Sequence, residues 1–240
     1  MAATDRRVSR DQLVDAALDL AERDGWESVR LHQVAAACAS GLDDLRAHFR
    51  EKDEIIDAWL DRADAAMLQH FDAGGVEGLL PRERIRRLIL VWLESLAAHR
   101  RVTREMIGHK LEFGHIHLQV PALLRISRTV QWIREGALLD APLPRRALEE
   151  TAMTALFVRT FLGWLNDDSG NFQRSRNRLE RDLLWLELAA SWIPGGRSGY
   201  RAPGAPPATA GGDGLHVNAP DQAASSSPIR PPPRKYGRTR

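Results

Sequence analysis

Four potential metal ligands lie close together in the middle of the chain, in the segment HKLEFGHIH. His109 and Glu112 are three residues apart, about one helical turn, and His115 and His117 follow shortly afterwards. Imidazole and carboxylate groups together suit zinc or iron. The letters FG after Glu112 interrupt the helical spacing, so the later histidines are not expected on the same face. We therefore predict no metal site here and interpret the histidines as helix caps or as polar groups of a pocket.

Residue types used in catalysis occur in the chain, but not in a catalytic arrangement. Ser, His and Asp are present without a recognisable nucleophile turn, and no Gly-rich phosphate loop follows a strand. The single cysteine, Cys38, excludes both an intrachain disulfide and a cysteine-built zinc site. We expect a protein that is not an enzyme and that needs no cofactor.

Charged residues of both signs surround the segment GLDDLRAH, residues 41–48. Basic side chains in such a cluster suit contacts with phosphate groups, which position a protein on nucleic acid. Asp43 and Asp44 stand among them; acidic residues suit the beginning of a helix, but they also place negative charge where phosphates would approach. The basic set comprises Arg30, Arg46, Arg50 and Lys52, with His48 between them.

Apolar residues recur with helical spacing over most of residues 9–193. Ser9 and Gln12 form a capping-box pattern, Gly25 ends the first helix, and Pro81 suits a first helical turn. We find no run of alternating strands, so we predict an all-α fold of about nine helices. The predicted helices lie near residues 9–25, 31–37, 41–48, 51–73, 81–100, 101–112, 120–138, 143–166 and 172–193.

Composition divides the chain further. Apolar residues make up 43%, enough for a core, whereas residues 194–240 are rich in Pro, Gly, Ala and Ser and are predicted to be disordered. Residues 1–60 carry eight basic and thirteen acidic side chains, and residues 194–240 carry seven basic and two acidic ones. The tail is interpreted as a solubilising segment or as an electrostatic aid to binding an acidic partner. No signal peptide or membrane span is predicted, so a cytoplasmic location is expected.

The segments LVDAALDLAERDGWE and VAAACASGLDDLRAHFREKDEII together resemble the N-terminal helix-turn-helix of TetR-family transcriptional regulators. The resemblance covers about 50 residues, and Lys52 matches the phosphate-contacting lysine of the family. Two departures are the turn, where Ala39, Ser40 and Gly41 replace a Gly, β-branched, Ser pattern, and the acidic pair at 43 and 44, which replaces Gly-Thr. The DNA-binding residues implied are Arg30, Gly41, Leu42, Arg46, His48 and Lys52.

The resemblance also implies an organisation for the rest of the chain. A disordered segment 1–8 would precede a DNA-binding domain, 9–55, a ligand-binding and dimerisation domain, 56–193, and the basic tail, 194–240. The last helix pair, with Trp185, Leu188 and Trp192, would form the dimer interface. Aromatic residues on separate central helices are predicted either to line an apolar ligand pocket or to pack in the core: Trp92, Trp132, Phe157, Phe161 and Trp164.

We therefore expect a homodimeric repressor that binds a double-stranded DNA operator and is released by an apolar small molecule or lipid. The alternative is an accessory protein of ubiquinone biosynthesis that binds lipid or isoprenoid and keeps a degenerate helix-turn-helix. WLDRADAAMLQHF and WLNDDSGNFQRSRNRLER resemble those proteins. Neither interpretation calls for stable insertion into a membrane.

Overall fold

The computed structural model describes residues 8–111, 116–139 and 145–191. Over these ranges it is all-helical, as predicted, and contains nine α-helices. The predicted tail and residues 1–7 lie outside the described residues, whereas Val8 is buried. The helices are α1 (Arg10–Asp24), α2 (Leu31–Ala37), α3 (Leu42–His48), α4 (Asp53–Asp72), α5 (Pro81–Ser95), α6 (Arg100–Leu111), α7 (Ile116–Gly136), α8 (Arg145–Leu165) and α9 (Gln173–Ser191).

The ends of α1 confirm the signals seen in the sequence. Ser9 Oγ accepts a hydrogen bond from the Gln12 amide at 3.1 Å, and Gln12 Oε1 accepts one from the Ser9 amide at 2.9 Å. This capping box satisfies backbone donors that the first turn leaves without partners. At the other end Gly25 has a φ of 81°, which a side chain would disfavour.

The turn between α2 and α3 contains a strained residue. Ala39 has a φ of 50°, in the left-handed region where a Cβ is unfavourable. The Ser40 amide donates to the Ala35 carbonyl and the Ala39 amide donates to the Ala36 carbonyl, both at 3.0 Å. This is the Schellman arrangement that ends many helices and usually places Gly at the left-handed position. The departure from the family pattern at residue 39 therefore has a conformational cost.

Helix α4 joins the first three helices to the rest of the molecule. Its 20 residues give a rod of roughly 30 Å. Ile55 and Ile56 are buried near its beginning, and about two turns beyond them Arg62 forms ion pairs with Asp11 and Asp15 of α1. The helix thus passes through the predicted domain boundary at residue 55 without a break, and its first half packs against α1.

Helices α5 to α9 form the larger helical body. Helix α5 packs against α4, α7, α8 and α9, so its apolar residues are covered from several sides. Helix α6 lies beside the 3-10 turn at Trp26–Ser28 and also contacts α1, α7 and α8. The apolar residues that recur with helical spacing along α5 and at its C-cap are all buried: Ile85, Leu88, Ile89, Trp92, Leu93 and Leu96.

A buried carboxylate fixes the connection between α8 and α9. Asp167 accepts hydrogen bonds from the amides of Ser169 and Ser175, at 2.9 and 2.7 Å, and from both hydroxyl groups. Burial acts to raise the pKa of Asp167, but these hydrogen bonds outweigh it and hold the pKa well below its usual range. The ionised carboxylate, which accepts at both oxygens, therefore holds the first turn of α9.

One helix begins earlier than the sequence predicted. The sequence predicted a start near residue 120, but α7 begins at Ile116 and contains Pro121 in its second turn. A proline there removes one backbone hydrogen bond without preventing the helix from continuing.

Candidate functional site

Helix α3 presents a narrow exposed surface. Leu45 and Phe49 are buried against the neighbouring helices, whereas Leu42 is 56% exposed. Gly41 is the N-cap residue, immediately before the exposed face. With only seven residues, α3 is held by its contacts with α2 and not by its own length. This is the surface that the sequence predicted for DNA.

The two aspartates of α3 differ in their surroundings. Asp44 Oδ2 lies 3.3 Å from the Gly41 amide and accepts its hydrogen bond at the start of the helix. Asp43 is fully exposed, and its Oδ1 lies 4.0 Å from Nε of Arg46, which is itself 81% exposed. Asp44 therefore serves the local structure, while Asp43 and Arg46 place opposite charges on the exposed face.

The side chains of two other predicted DNA-binding residues form hydrogen bonds with backbone carbonyl oxygens of the protein itself. Arg30 Nη1 donates to the carbonyl oxygens of Glu27 and Val29, at 2.6 and 3.2 Å. His48 Nε2 lies 3.0 Å from the Val8 carbonyl oxygen, and because that oxygen can only accept, Nε2 must carry the proton. Taken over all of its atoms, each of the two residues is nonetheless exposed to solvent.

The ammonium group of Lys52 contacts the 3-10 turn that follows α1. Its Nζ donates to the Trp26 carbonyl oxygen at 2.6 Å and lies 4.6 Å above the Trp26 ring. Burial lowers the pKa of Lys52, and the nearby Glu27 carboxylate opposes that effect. Lys52 therefore ties the start of α4 to the first helices in addition to any phosphate contact.

A cavity of about 90 Å³ lies between α4, α5, α6, α7 and α8. Trp92, Phe157 and Phe161 belong to its wall, and the Trp92 ring makes edge-to-face contacts with both phenylalanines at 5.0 and 5.1 Å between centroids. Two other predicted pocket residues do not line it: Trp164 is buried in the core, and Trp132 is 47% exposed on α7. The complete set of lining residues is Asp57, Leu60, Trp92, Ile107, Lys110, Leu111, Arg125, Ile126, Thr129, Phe157, Val158, Phe161 and Leu162.

The polar part of this cavity was not predicted from the sequence. Lys110 and Arg125 are both at least 95% buried. Lys110 Nζ lies 2.7 Å from Asp57 Oδ1, and Arg125 lies 2.8 Å from Asp64 and 3.1 Å from Asp61. A sequence signal did exist, because aspartates at 57, 61 and 64 have the spacing of one face of α4.

Asp64 is also held by neutral donors. Trp92 Nε1 donates to Asp64 Oδ1 at 2.7 Å, and the Thr129 hydroxyl donates to the same oxygen at 2.9 Å. One carboxylate of α4 thus accepts from α5 and α7 and pairs with Arg125. The position of α4 in the body depends on this set of contacts.

Helix α6 connects the cavity with the first helices. Ile107 and Lys110 line the cavity, while Glu105 Oε2 accepts a hydrogen bond from the Trp26 amide at 2.8 Å. His109 of the same helix lies 3.3 Å from Glu27 and 3.7 Å from Asp53. A shift of α6 would therefore reach both Trp26 and the start of α4.

The remaining predictions concern metal binding and pairing of chains. Among the residues described, no group of three His, Cys, Asp or Glu side chains could hold a metal ion, and Glu112, His115 and the His117 side chain lie outside them. None of the described helices is long and apolar enough to cross a membrane. On α9, Trp185 is 72% and Leu188 54% exposed, whereas Trp192 lies outside the described residues.

Comparison with known proteins places this architecture in a family. The chain is similar to the crystal structure of a TetR transcriptional regulator from Nitrosomonas europaea, with 48% identity, a TM-score of 0.65, and coverage of 77% of this chain and 98% of that one. No family model and no curated protein matches. The chain therefore belongs to the TetR family of transcriptional regulators, as the resemblance in the first 60 residues predicted.

More distant solved structures share the fold. A TetR transcriptional regulator from a Rhodococcus species has 16% identity and a TM-score of 0.56, and covers 74% of this chain and 94% of its own. A TetR-family regulator from Streptomyces coelicolor has 18% identity and a TM-score of 0.53, with coverage of 78% and 87%. At these identities the likeness concerns the fold alone.

Proposed function

We propose that this TetR-family regulator is a homodimeric repressor that binds operator DNA through α3 and is released when a small molecule enters the central cavity. The observation that carries the proposal is the position of α4. Its N-cap residue, Lys52, donates to Trp26 among the first helices, and Asp57 and Leu60 in its first half line the cavity. A ligand that displaces α4 would also displace α3. It acts only through its different affinity for the two arrangements.

The proposed domains follow from the same arrangement. Residues 9–55 would bind DNA, residues 56–193 would bind the ligand and dimerise, and residues 194–240 would form a basic tail. Arg46 is the basic residue of α3 that is most available to DNA, since its side chain is 81% exposed. Exposed Trp185 and Leu188 suit a dimer interface, because apolar surface of this kind is stabilised by a partner.

One structure that shares the fold was solved with a ligand. FadR from Thermus thermophilus, described as a TetR-family transcriptional repressor, was solved in complex with lauroyl-CoA and has 17% identity with this chain and a TM-score of 0.52. At this identity the likeness concerns the fold alone, so the residues of this chain's own cavity determine the ligand class proposed for it. The lipid-binding accessory protein considered from the sequence is not favoured, because the similar structures are transcriptional regulators.

The test is binding to the DNA that lies upstream of the gene encoding this protein, measured by fluorescence anisotropy over a range of salt concentrations. Lys52→Ala is expected to weaken binding to all DNA sequences alike and to reduce the salt slope by about one, since one phosphate contact is lost. Arg128→Ala, which removes an exposed cation of α7, is the control and should leave the slope unchanged.

Two results would contradict this proposal. Absence of binding to upstream DNA at both low and moderate salt would remove the repressor function. A weaker affinity of Lys52→Ala with an unchanged salt slope would remove Lys52 from the phosphate contacts and leave it the structural role seen at Trp26.

A further inference from the structure

We propose that the effector is a small amphipathic anion, with its acidic group beside Lys110 and Arg125 and its apolar body against the aromatic wall of the cavity. This inference rests on the proposed function and names the ligand class of the same site. It adds an acidic group to the apolar small molecule or lipid expected from the sequence. Charge, hydrogen bonding and shape each support it.

The charges that line the cavity favour an anion. Among the described lining residues, Lys110 and Arg125 are cations and Asp57 is the one carboxylate. Asp61 and Asp64 neutralise Arg125 from α4 but do not line the cavity. A ligand inside the cavity therefore lies beside two cations and one carboxylate. The five charged groups together carry two positive and three negative charges, so an acidic group pairs with Arg125 or Lys110 by displacing one of their present carboxylate partners.

Arg125 has hydrogen-bonding capacity to spare. The guanidinium group offers five N–H donors, and its side chain is 4% exposed. Its Nε is buried and has no hydrogen-bond partner in the described part of the chain. An unsatisfied buried donor is unfavourable, so an incoming acceptor oxygen beside Arg125 would gain the hydrogen bond that the protein does not supply.

The rest of the wall selects a short apolar body. Leu60, Ile126, Phe157 and Phe161 present carbon atoms, and Trp92 directs its one polar atom to Asp64. The cavity volume of about 90 Å³ is smaller than the roughly 150 Å³ of an engineered cavity that binds benzene. A phenyl ring or a six-carbon chain therefore enters only as the walls of the cavity move apart, which includes movement of α4.

The same head group provides a mechanism for release of DNA. An anion beside Lys110 and Arg125 competes with Asp57, Asp61 and Asp64, the carboxylates by which α4 is now held. A neutral ligand in the same cavity would leave these ion pairs in place. Binding of an acid is therefore expected to loosen α4 and lower the affinity for DNA, whereas binding of its neutral analogue is not.

The experiment compares matched ligands of different charge by isothermal titration calorimetry on the full chain. One series is 3-phenylpropanoate, 3-phenylpropanamide and 3-phenylpropylammonium; the other is hexanoate, hexanamide and hexylammonium. In at least one series the acid is expected to bind at least tenfold more tightly than the amide and the ammonium ion. The same acid should weaken DNA binding in the anisotropy assay.

Variants locate the head group. Arg125→Lys and Lys110→Gln keep a donor at each position and are expected to reduce the preference for the acid at least fivefold while the amide binds as before. The matched control is Arg134→Lys, a buried arginine of the same helix that pairs with Glu149 and does not line the cavity. Circular dichroism melts identify any variant that fails to fold, and the ligand preference of the wild-type chain is independent of them.

The outcomes separate this inference from the proposed function. If the amide binds as tightly as the acid and also releases DNA, the anionic ligand class is overturned and the ligand-responsive repressor stands. If no probe of either series binds, the inference is overturned. The proposed repressor function is then tested separately, by whether the protein without ligand binds DNA. An acid preference that persists in both cavity variants would overturn the placement beside Lys110 and Arg125.

Discussion

At the scale of single residues, α3 and the turn before it depart most from the pattern of the family. Ala39 adopts a φ of 50° where Gly is usual, and the turn keeps its Schellman hydrogen bonds nonetheless. Asp44 has a structural role at the start of α3, whereas Asp43 is fully exposed beside Arg46. The departures thus divide into one that costs stability, one that supports the helix and one that bears on DNA.

Replacing Ala39 by Gly is expected to stabilise the protein by about 1 kcal/mol, because glycine adopts a positive φ without a steric penalty. Urea denaturation measures the free energy of unfolding. The control is Ala36→Gly, an exposed position inside α2, which should destabilise by roughly 0.5–1 kcal/mol. Equal losses at both positions would contradict the strain assigned to Ala39.

Replacing Asp43 by Asn is expected to raise the affinity for DNA roughly three- to tenfold at low salt, because it removes a fully exposed negative charge from α3 and frees Arg46. The gain should shrink as salt is added, since exposed charges are screened. Anisotropy titrations check this, with Glu180→Gln on the exposed side of α9 as a charge-matched control. A lower affinity of Asp43→Asn would indicate that Asp43 itself accepts a hydrogen bond from a base.

At the scale of elements, the helices were predictable and their mutual contacts were not. The apolar spacing of α5 and the capping box of α1 are local signals, read within a few residues. The pairing of Lys110 with Asp57 joins residues 53 positions apart, and nothing local distinguishes that aspartate from its neighbours on α4. Trp132 illustrates the same limit, since an aromatic residue on a central helix can face solvent.

The junction of α8 and α9 gives a prediction at this scale. Asp167→Asn is expected to destabilise the protein by roughly 1–3 kcal/mol at pH 7, because an amide cannot accept all the hydrogen bonds that the buried carboxylate accepts. Asp168→Asn is the control: its side chain is 85% exposed and pairs with Arg100 at 3.4 Å, so the change should be under about 1 kcal/mol.

The pH dependence of the same variant has a defined sign. Because the folded pKa of Asp167 is depressed, its contribution is complete above the unfolded value of about 3.9 and is lost as pH falls toward the folded pKa. The difference in stability between wild type and Asp167→Asn should therefore be constant from pH 5 to 7 and shrink below pH 4. A difference that grows on acidification would refute this account.

At the scale of the whole molecule, the exposed apolar surface of α9 is the feature that a single chain leaves unexplained. Leu184, Trp185 and Leu188 are 41%, 72% and 54% exposed on one helix. In the proposed dimer this surface is covered by a second copy, and the two α3 helices would then address half-sites about 34–36 Å apart.

Replacing Trp185 by Glu is expected to yield a monomer at micromolar concentration, because a charge in a buried interface lacks a partner. Light scattering coupled to gel filtration measures the mass, and affinity for a palindromic site should fall with it. Leu80→Glu, at an exposed leucine just before α5, is the control and should leave the mass unchanged. A dimeric Trp185→Glu protein would place the interface elsewhere.

The unbroken course of α4 also determines how such a regulator could be recombined. Arg62 lies beyond residue 55 but pairs with Asp11 and Asp15 of α1. A hybrid protein that took residues 1–55 from another regulator would therefore lose these ion pairs. A junction after Asp72, in the loop that follows α4, keeps both partners of these ion pairs in the same parent protein. It also places the foreign equivalents of Asp57, Asp61 and Asp64 beside the host's Lys110 and Arg125. In this protein, exchanging the DNA-binding helices together with α4 therefore also exchanges residues that determine which ligand binds.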